Sequence, residues 1–259
     1  MRITLLFCLV LLVGCSEETD PNDSILPDDI VLVDPLEGLP LDEAINKHIK
    51  STLDITATEK YTYEIFRGDC DGDDSLDIVV AVNLLDRAMT KAIASGQLPK
   101  YAETGYMGHF NYIVYIDGFT RKFDPPKVIP SSPHAKLAIN FEQIRTPNHM
   151  DFTVDYRIKD AGFRDYYTVM NGHPRQILQT PIFSGVGEKE SEAFKVRYET
   201  GSYSMCKDIV VYKGSFENIV PESEFDIYEF NPDIVGTDQL ERRWFFNEQD
   251  FKYYTQKAQ

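Results

Sequence analysis

Residues 68–82 read Gly68-Asp69-Cys70-Asp71-Gly72-Asp73-Asp74-Ser75-Leu76-Asp77-Ile78-Val79-Val80-Ala81-Val82. Carboxylates at alternate positions give way without a break to a run of apolar residues, so an acidic turn feeds directly into a strand. Ca²⁺ is a hard cation, and loops that cage it draw oxygens from alternate positions, the fourth of them through a backbone carbonyl. The alternate positions here are Asp69, Asp71, Asp73, Ser75 and Asp77. With Asp74 also in the turn, close carboxylate pairs repel by about 1–3 kcal/mol each at dielectrics between protein surface and water. A divalent cation converts that repulsion into binding energy. The metal-free alternative is a solvated turn whose carboxylates point apart.

The run from Gly68 to Ala81 resembles the Asp-x-Asp-Gly-Asp-Gly-x-x-Asp-hydrophobic motif of FG-GAP repeats, found in integrin-type β-propellers and bacterial surface proteins. The resemblance implies a strand, a calcium loop and a second strand. Asp74 departs from it, standing where the family has Gly in a position that needs positive φ. Asp tolerates the left-handed region better than most residues, so the loop is expected to survive the change.

Outward from the loop, Tyr61–Phe66 alternates and reads as the strand that enters it. Leu41–Thr52 places Leu41, Ala44, Ile45 and Ile49 on one helical face, with acidic residues first and lysines last, as the helix dipole favours. Asn83–Gly96 predicts a second helix, ended by its glycine and inserted relative to a plain FG-GAP unit. Beyond it the chain alternates strands and turns. Asn111–Ile116 runs to the turn Asp117-Gly118, and Phe152–Ile158 to the turn 159–162. Tyr112–Phe119, Tyr166–His173 and Ile209–Phe216 look alike, each a β-rich run closed by Gly after a polar residue, but three such units are too few for a ring of typically 4–8 blades. The expected fold is mainly β, an open β-meander or sandwich with propeller-like units and one or two flanking α-helices, in a single domain over 39–259. At its end, residues 242–254 predict a hairpin with Trp244 and Phe246 on one face and Phe245 on the other, the aromatics closing a core.

The amino terminus carries a different signal. Arg2 precedes an apolar run, Ile3–Val13, too short for a permanent membrane span and laid out as a secretory signal over 1–14. It ends Leu12-Val13-Gly14-Cys15, which resembles the lipobox of bacterial lipoproteins. The resemblance implies cleavage before Cys15 and acylation of its thiol, with several chains giving stable membrane anchoring. Residues 15–38 are acidic and Pro-rich and read as a tether. Ser16-Glu17-Glu18-Thr19-Asp20 resembles the export signal of Bacteroidetes-type surface lipoproteins, which implies an outer-membrane protein facing outward, the periplasmic face being the alternative. Of four cysteines, Cys8 leaves with the signal and Cys15 takes the lipid. Cys70 and Cys206 remain, either as a disulfide or as two small buried hydrophobes.

The formal charge of −16 makes nucleic acid an unsuitable partner. Five scattered histidines show no zinc spacing, and no nucleophile elbow or phosphate loop occurs. Together these features predict a lipid-anchored, calcium-stabilised and non-catalytic envelope domain for adhesion, assembly, or binding of a glycan or protein ligand. The alternative is an envelope glycan hydrolase whose carboxylate pair comes from distant strands, with His109 or His149 beside an acid as a further place for catalysis.

Overall fold

The computed structural model describes residues 36, 38–106, 108–217 and 226–255. The signal segment, Cys15 and the tether, apart from Leu36 and Gly38, lie outside the described residues. Contacts divide the chain after Leu39, and the larger unit begins at Pro40.

Among the described residues the fold of that unit is a continuous antiparallel meander in two sheets. The first sheet has the order β1 (Thr62–Gly68), β2 (Asp77–Asn83), β3 (Asn111–Ile116), β4 (Lys127–Ile129). The second runs β5 (Ala138–Glu142), β6 (Asp151–Ile158), β7 (Ala161–Met170), β8 (His173–Ser184), β9 (Glu192–Glu199), β10 (Asp208–Phe216), β11 (Ile234–Asn247), β12 (Lys252–Tyr254), each strand beside its sequence neighbours. Both sheets are open, so the propeller-like units do not close into a ring.

The uninterrupted apolar stretch after Asp77 is explained by β2 being covered on both faces. Val79 and Ala81 join Ile113 and Tyr115 of β3 in a core shared with Phe152, Val154 and Tyr156 of β6 and with Tyr167 and Val169 of β7. On the opposite face Ile78, Val80 and Val82 meet Ile45 and Ile49 of α1 (Leu41–Thr52) and Ala88 of α2 (Leu85–Ser95). The first sheet therefore sits between a helical layer and one end of the larger sheet.

Both predicted helices form. Asn83 ends β2 rather than opening α2, and its Oδ1 accepts the Leu85 N–H at 2.9 Å. Gly96 closes α2 with φ +66°. A third helix, α3 (Leu98–Thr104), follows at once, with Pro99 in its first turn and Gly105 left-handed at its end, the Pro-then-Gly asymmetry that delimits a short helix. No helix among the described residues is long and apolar enough to cross a membrane.

The C-terminal hairpin pairs Phe245 with Tyr254 and Phe246 with Tyr253. Phe246 is buried and Trp244 packs beside it against a third cluster that includes Tyr166, Cys206 and Ile209. Phe245 turns the other way and meets Tyr203 edge-on, ring centroids 4.9 Å apart. Cys70 and Cys206 are both free and both buried, in two different clusters, so the disulfide is not formed. Each fills apolar space, and burial pushes both thiols up.

Candidate metal centre

The acidic run is the hairpin loop between β1 and β2, closed by the pair Gly68 and Asp77. Its backbone is folded by its own side chains. Asp69 Oδ1 accepts the Gly72 N–H at 2.7 Å, Asp71 Oδ1 that of Asp73 at 3.3 Å, and Asp73 Oδ1 that of Ser75 at 2.8 Å. These Asx turns curl the chain around the aspartates, with Gly72 and Asp74 both left-handed at φ +82° and +66°. Asp74 thus adopts the conformation for which the repeat motif uses glycine.

The curl brings Asp69, Asp71 and Asp77 together, one carboxylate oxygen of each lying within 4.8 Å of the others. Asp73 and Ser75, the other two alternate positions, are outside this trio and bonded to one another through the Asx turn. Asp77 is completely buried. Its Oδ2 accepts the Cys70 N–H at 2.9 Å and its Oδ1 the Gly118 N–H at 2.8 Å. The second contact needs a glycine: a Cβ at position 118 would lie 2.3 Å from the Leu76 carbonyl oxygen. The Asp117-Gly118 turn after β3 is therefore fitted to the loop.

Burial and the neighbouring Asp77 and Asp73 push Asp71 up to about 6. Burial also raises Asp77, against the two backbone N–H groups that favour its charged form. The Tyr115 hydroxyl stands buried beside Asp77 in this cluster, and burial, followed by Asp77, raises its pKa. Oxygen donors, an excess of negative charge and a buried carboxylate suit a hard divalent cation. Asp69, Asp71 and Asp77 would hold it.

A second loop backs the first. Met150 N–H donates to the Asp69 carbonyl at 2.8 Å, and His149 lies against Gly72. His149 bonds to Arg145 at 2.7 Å and Thr146 at 3.0 Å, and burial together with the guanidinium lowers its pKa. It is a packing neighbour of the loop and has no carboxylate as hydrogen-bond partner. His109 is exposed. His173 does meet an acid, with Nδ1 2.6 Å from Asp124 Oδ1, a contact between residues 49 apart that local spacing could not reveal. Tyr115 and Gly118 were equally hidden, because their signal is ordinary strand and turn residues that reach the loop only through the β2–β3 register.

No family model, curated protein or solved structure matches the chain.

Proposed function

We propose that this protein is a lipid-anchored component of a bacterial cell envelope whose β-rich domain is fixed by a Ca²⁺ ion in the 69–77 loop and serves binding or assembly rather than catalysis. The observation that carries the reading is the convergence of Asp69, Asp71 and the buried Asp77 within 4.8 Å. Those carboxylates are held in place by backbone N–H groups from the loop and from the turn after β3. Carboxylates fixed in this way favour coordination of a static ion. When bound, the cation supplies neutralising charge that ties β1, β2 and the 117–118 turn together. The anchor rests on the Leu12-Val13-Gly14-Cys15 sequence, and surface display on the acidic residues after it. Even a weak extracellular-type loop, with a dissociation constant of order 10⁻⁴–10⁻³ M, is about half to nine-tenths occupied where calcium is about 1 mM.

Melting of the full chain, stripped with chelator and then returned to millimolar Ca²⁺, tests the metal. A calcium-dependent rise that Asp71→Ala abolishes supports the assignment, and an identical melting point in both conditions sinks it. Metabolic labelling with a fatty-acid probe tests the anchor: label should be lost in Cys15→Ser.

A further inference from the structure

The C-terminal hairpin sends its aromatic rings to two sides. Phe246 and Tyr253 are buried in the third cluster. Phe245 and Tyr254 stand opposite one another on the other face, because directly paired residues of antiparallel strands share a face. Tyr254 is 45 % exposed there, and Tyr203, from the loop between β9 and β10, meets the half-buried Phe245 with 67 % of its own surface in solvent. Large aromatic side chains contribute most to a fold when buried, so rings grouped at the surface ask for a ligand rather than a core.

A cleft of about 510 Å³ is lined by these three rings, a volume within the range of small-molecule sites. Ser204, Glu248 and Gln249 add polar groups to it. The turn that carries Glu248 and Gln249 is fixed from within: Asn247 Oδ1 accepts the Gln249 N–H at 2.8 Å, and Asp250 Oδ2 accepts the Tyr254 hydroxyl at 3.2 Å. The loop that carries Tyr203 is pinned too, the Ser202 hydroxyl donating to Asp208 Oδ2 at 2.6 Å and the Cys206 N–H to Ser204 Oγ at 3.2 Å. Little ordering is then left for a ligand to supply.

The chemistry of the lining selects among ligands. Among the described residues no Lys, Arg or His lines the cleft, and Glu248 is its one carboxylate, so an anion finds no counter-charge. An alkyl chain would leave the polar groups unmet. A simple cation would use acceptors alone, whereas the Gln249 amide brings donors as well. An extended peptide is gripped through its backbone along a sheet edge, but these rings stand on a sheet face. A ligand with an apolar face and a rim of hydroxyls, each both donor and acceptor, answers every part of the lining.

We propose that this cleft binds a neutral saccharide, with the apolar face of a sugar ring against Tyr203 and Tyr254 and its hydroxyls on Glu248, Gln249 and Ser204. The assignment rests on the reading of the domain as a binding module and gives that reading a place and a ligand class. It shares no residue with the 69–77 loop.

Calorimetric titration of the full chain in millimolar Ca²⁺ with cellohexaose, maltohexaose and tetra-N-acetylchitotetraose tests it, with choline and trilysine as cationic comparisons. At least one of the three saccharides should bind with a dissociation constant below about 1 mM, unchanged as salt rises from about 50 to about 300 mM. Tyr203→Ala should weaken that binding at least about tenfold, and Tyr203→Phe, which keeps the ring, by no more than about twofold. Glu248→Gln, which keeps an acceptor and removes the charge, should cost no more than about threefold. The calcium-dependent rise in melting point should persist in all three variants, so loss of saccharide binding is read separately from loss of the metal. No saccharide binding up to about 10 mM, choline or trilysine binding more tightly than every saccharide, or full affinity in Tyr203→Ala would overturn the proposal.

Discussion

Three strands, β2, β6 and β10, open on a buried aspartate that reaches back to a backbone N–H in the loop before it. Asp77 takes Cys70 N–H, Asp151 takes Arg145 N–H at 2.9 Å, and Asp208 takes Ser202 N–H at 3.2 Å. All three are at most 1 % exposed, so each needs compensation for its charge. Asp151 has the Arg145 guanidinium, Nε to Oδ1 at 2.7 Å. Asp208 has Arg243, Nη1 to Oδ2 at 3.0 Å, and the Ser202 hydroxyl at 2.6 Å. Asp77 has two more carboxylates instead. One backbone device is thus completed from within at two strand starts, whereas the third concentrates negative charge and is open to a cation from solution.

The comparison breaks most decisively at Arg145. Arg145→Met leaves Asp151 buried without its counter-charge, and loss of one member of a buried pair costs about 3–5 kcal/mol. The loss should appear in urea unfolding with calcium and with chelator alike. A cost below about 1 kcal/mol would show that the guanidinium is not the internal equivalent of a metal.

Asp71→Ala should behave in the opposite way. At calcium a hundredfold above its dissociation constant, binding to the folded state adds about 2.7 kcal/mol. For a domain of this size that is a rise of roughly 5–10 °C in melting temperature. Asp71→Ala should lose the whole rise, yet in chelator it should be at least as stable as the parent, because one of three mutually repelling carboxylates is gone. A variant destabilised equally in both conditions would make Asp71 an ordinary structural residue.

The difference between the three strand starts also marks what the sequence could disclose. The acidic loop is local: its alternating aspartates, its two flanking strands and even the left-handed Asp74 are properties of one hairpin. The helices α1 and α2 and the C-terminal hairpin were readable for the same reason, since periodicity and turn residues act within one element, whereas the seven-residue α3 is too short to show a period. Arg243 lies 35 residues beyond Asp208, and no pattern connects them before the β10–β11 register is known. The similarity of the segments beginning at Tyr112, Tyr166 and Ile209 drew attention to glycines at strand ends. The kinship that matters lies at the starts, where Asp77 and Asp208 each open an Asp-Ile-Val-Val run and Asp151 opens Asp-Phe-Thr-Val.

Asp165 offers a carboxylate with neither solution. It lies inside β7, 3 % exposed, with Gln179 Nε2 donating at 2.9 Å, and burial pushes it up to about 6. Because the folded pKa is raised above the ordinary 3.8, the folded protein holds the proton more tightly than the unfolded chain. The contribution of Asp165 to stability is then complete below about pH 4 and lost as pH rises through about 6. Asp165→Asn keeps an oxygen for Gln179 and removes the charge. It should gain about 1–2 kcal/mol above pH 7 and nothing at pH 4, read from denaturation curves at both values. A gain independent of pH would mean that the carboxylate is not the source.

The smallest effect separates charge from conformation inside the loop itself. Asp74 is exposed and left-handed, so two terms act on it: repulsion from the neighbouring aspartates and the cost of positive φ for a residue with a Cβ. Asp74→Asn removes the first and keeps the second, since Asn and Asp enter the left-handed region with similar ease. Asp74→Gly removes both but adds freedom to the unfolded chain, which offsets part of the gain. In chelator both variants should be stabilised, by about 0.3–0.5 kcal/mol for the charge alone, with Gly within about 0.5 kcal/mol of Asn. In saturating calcium the charge contribution should vanish, because the cation already screens the loop and benefits from every nearby carboxylate. If Asn and Gly gain equally with and without calcium, repulsion is not what distinguishes this strand start from the two closed by arginine.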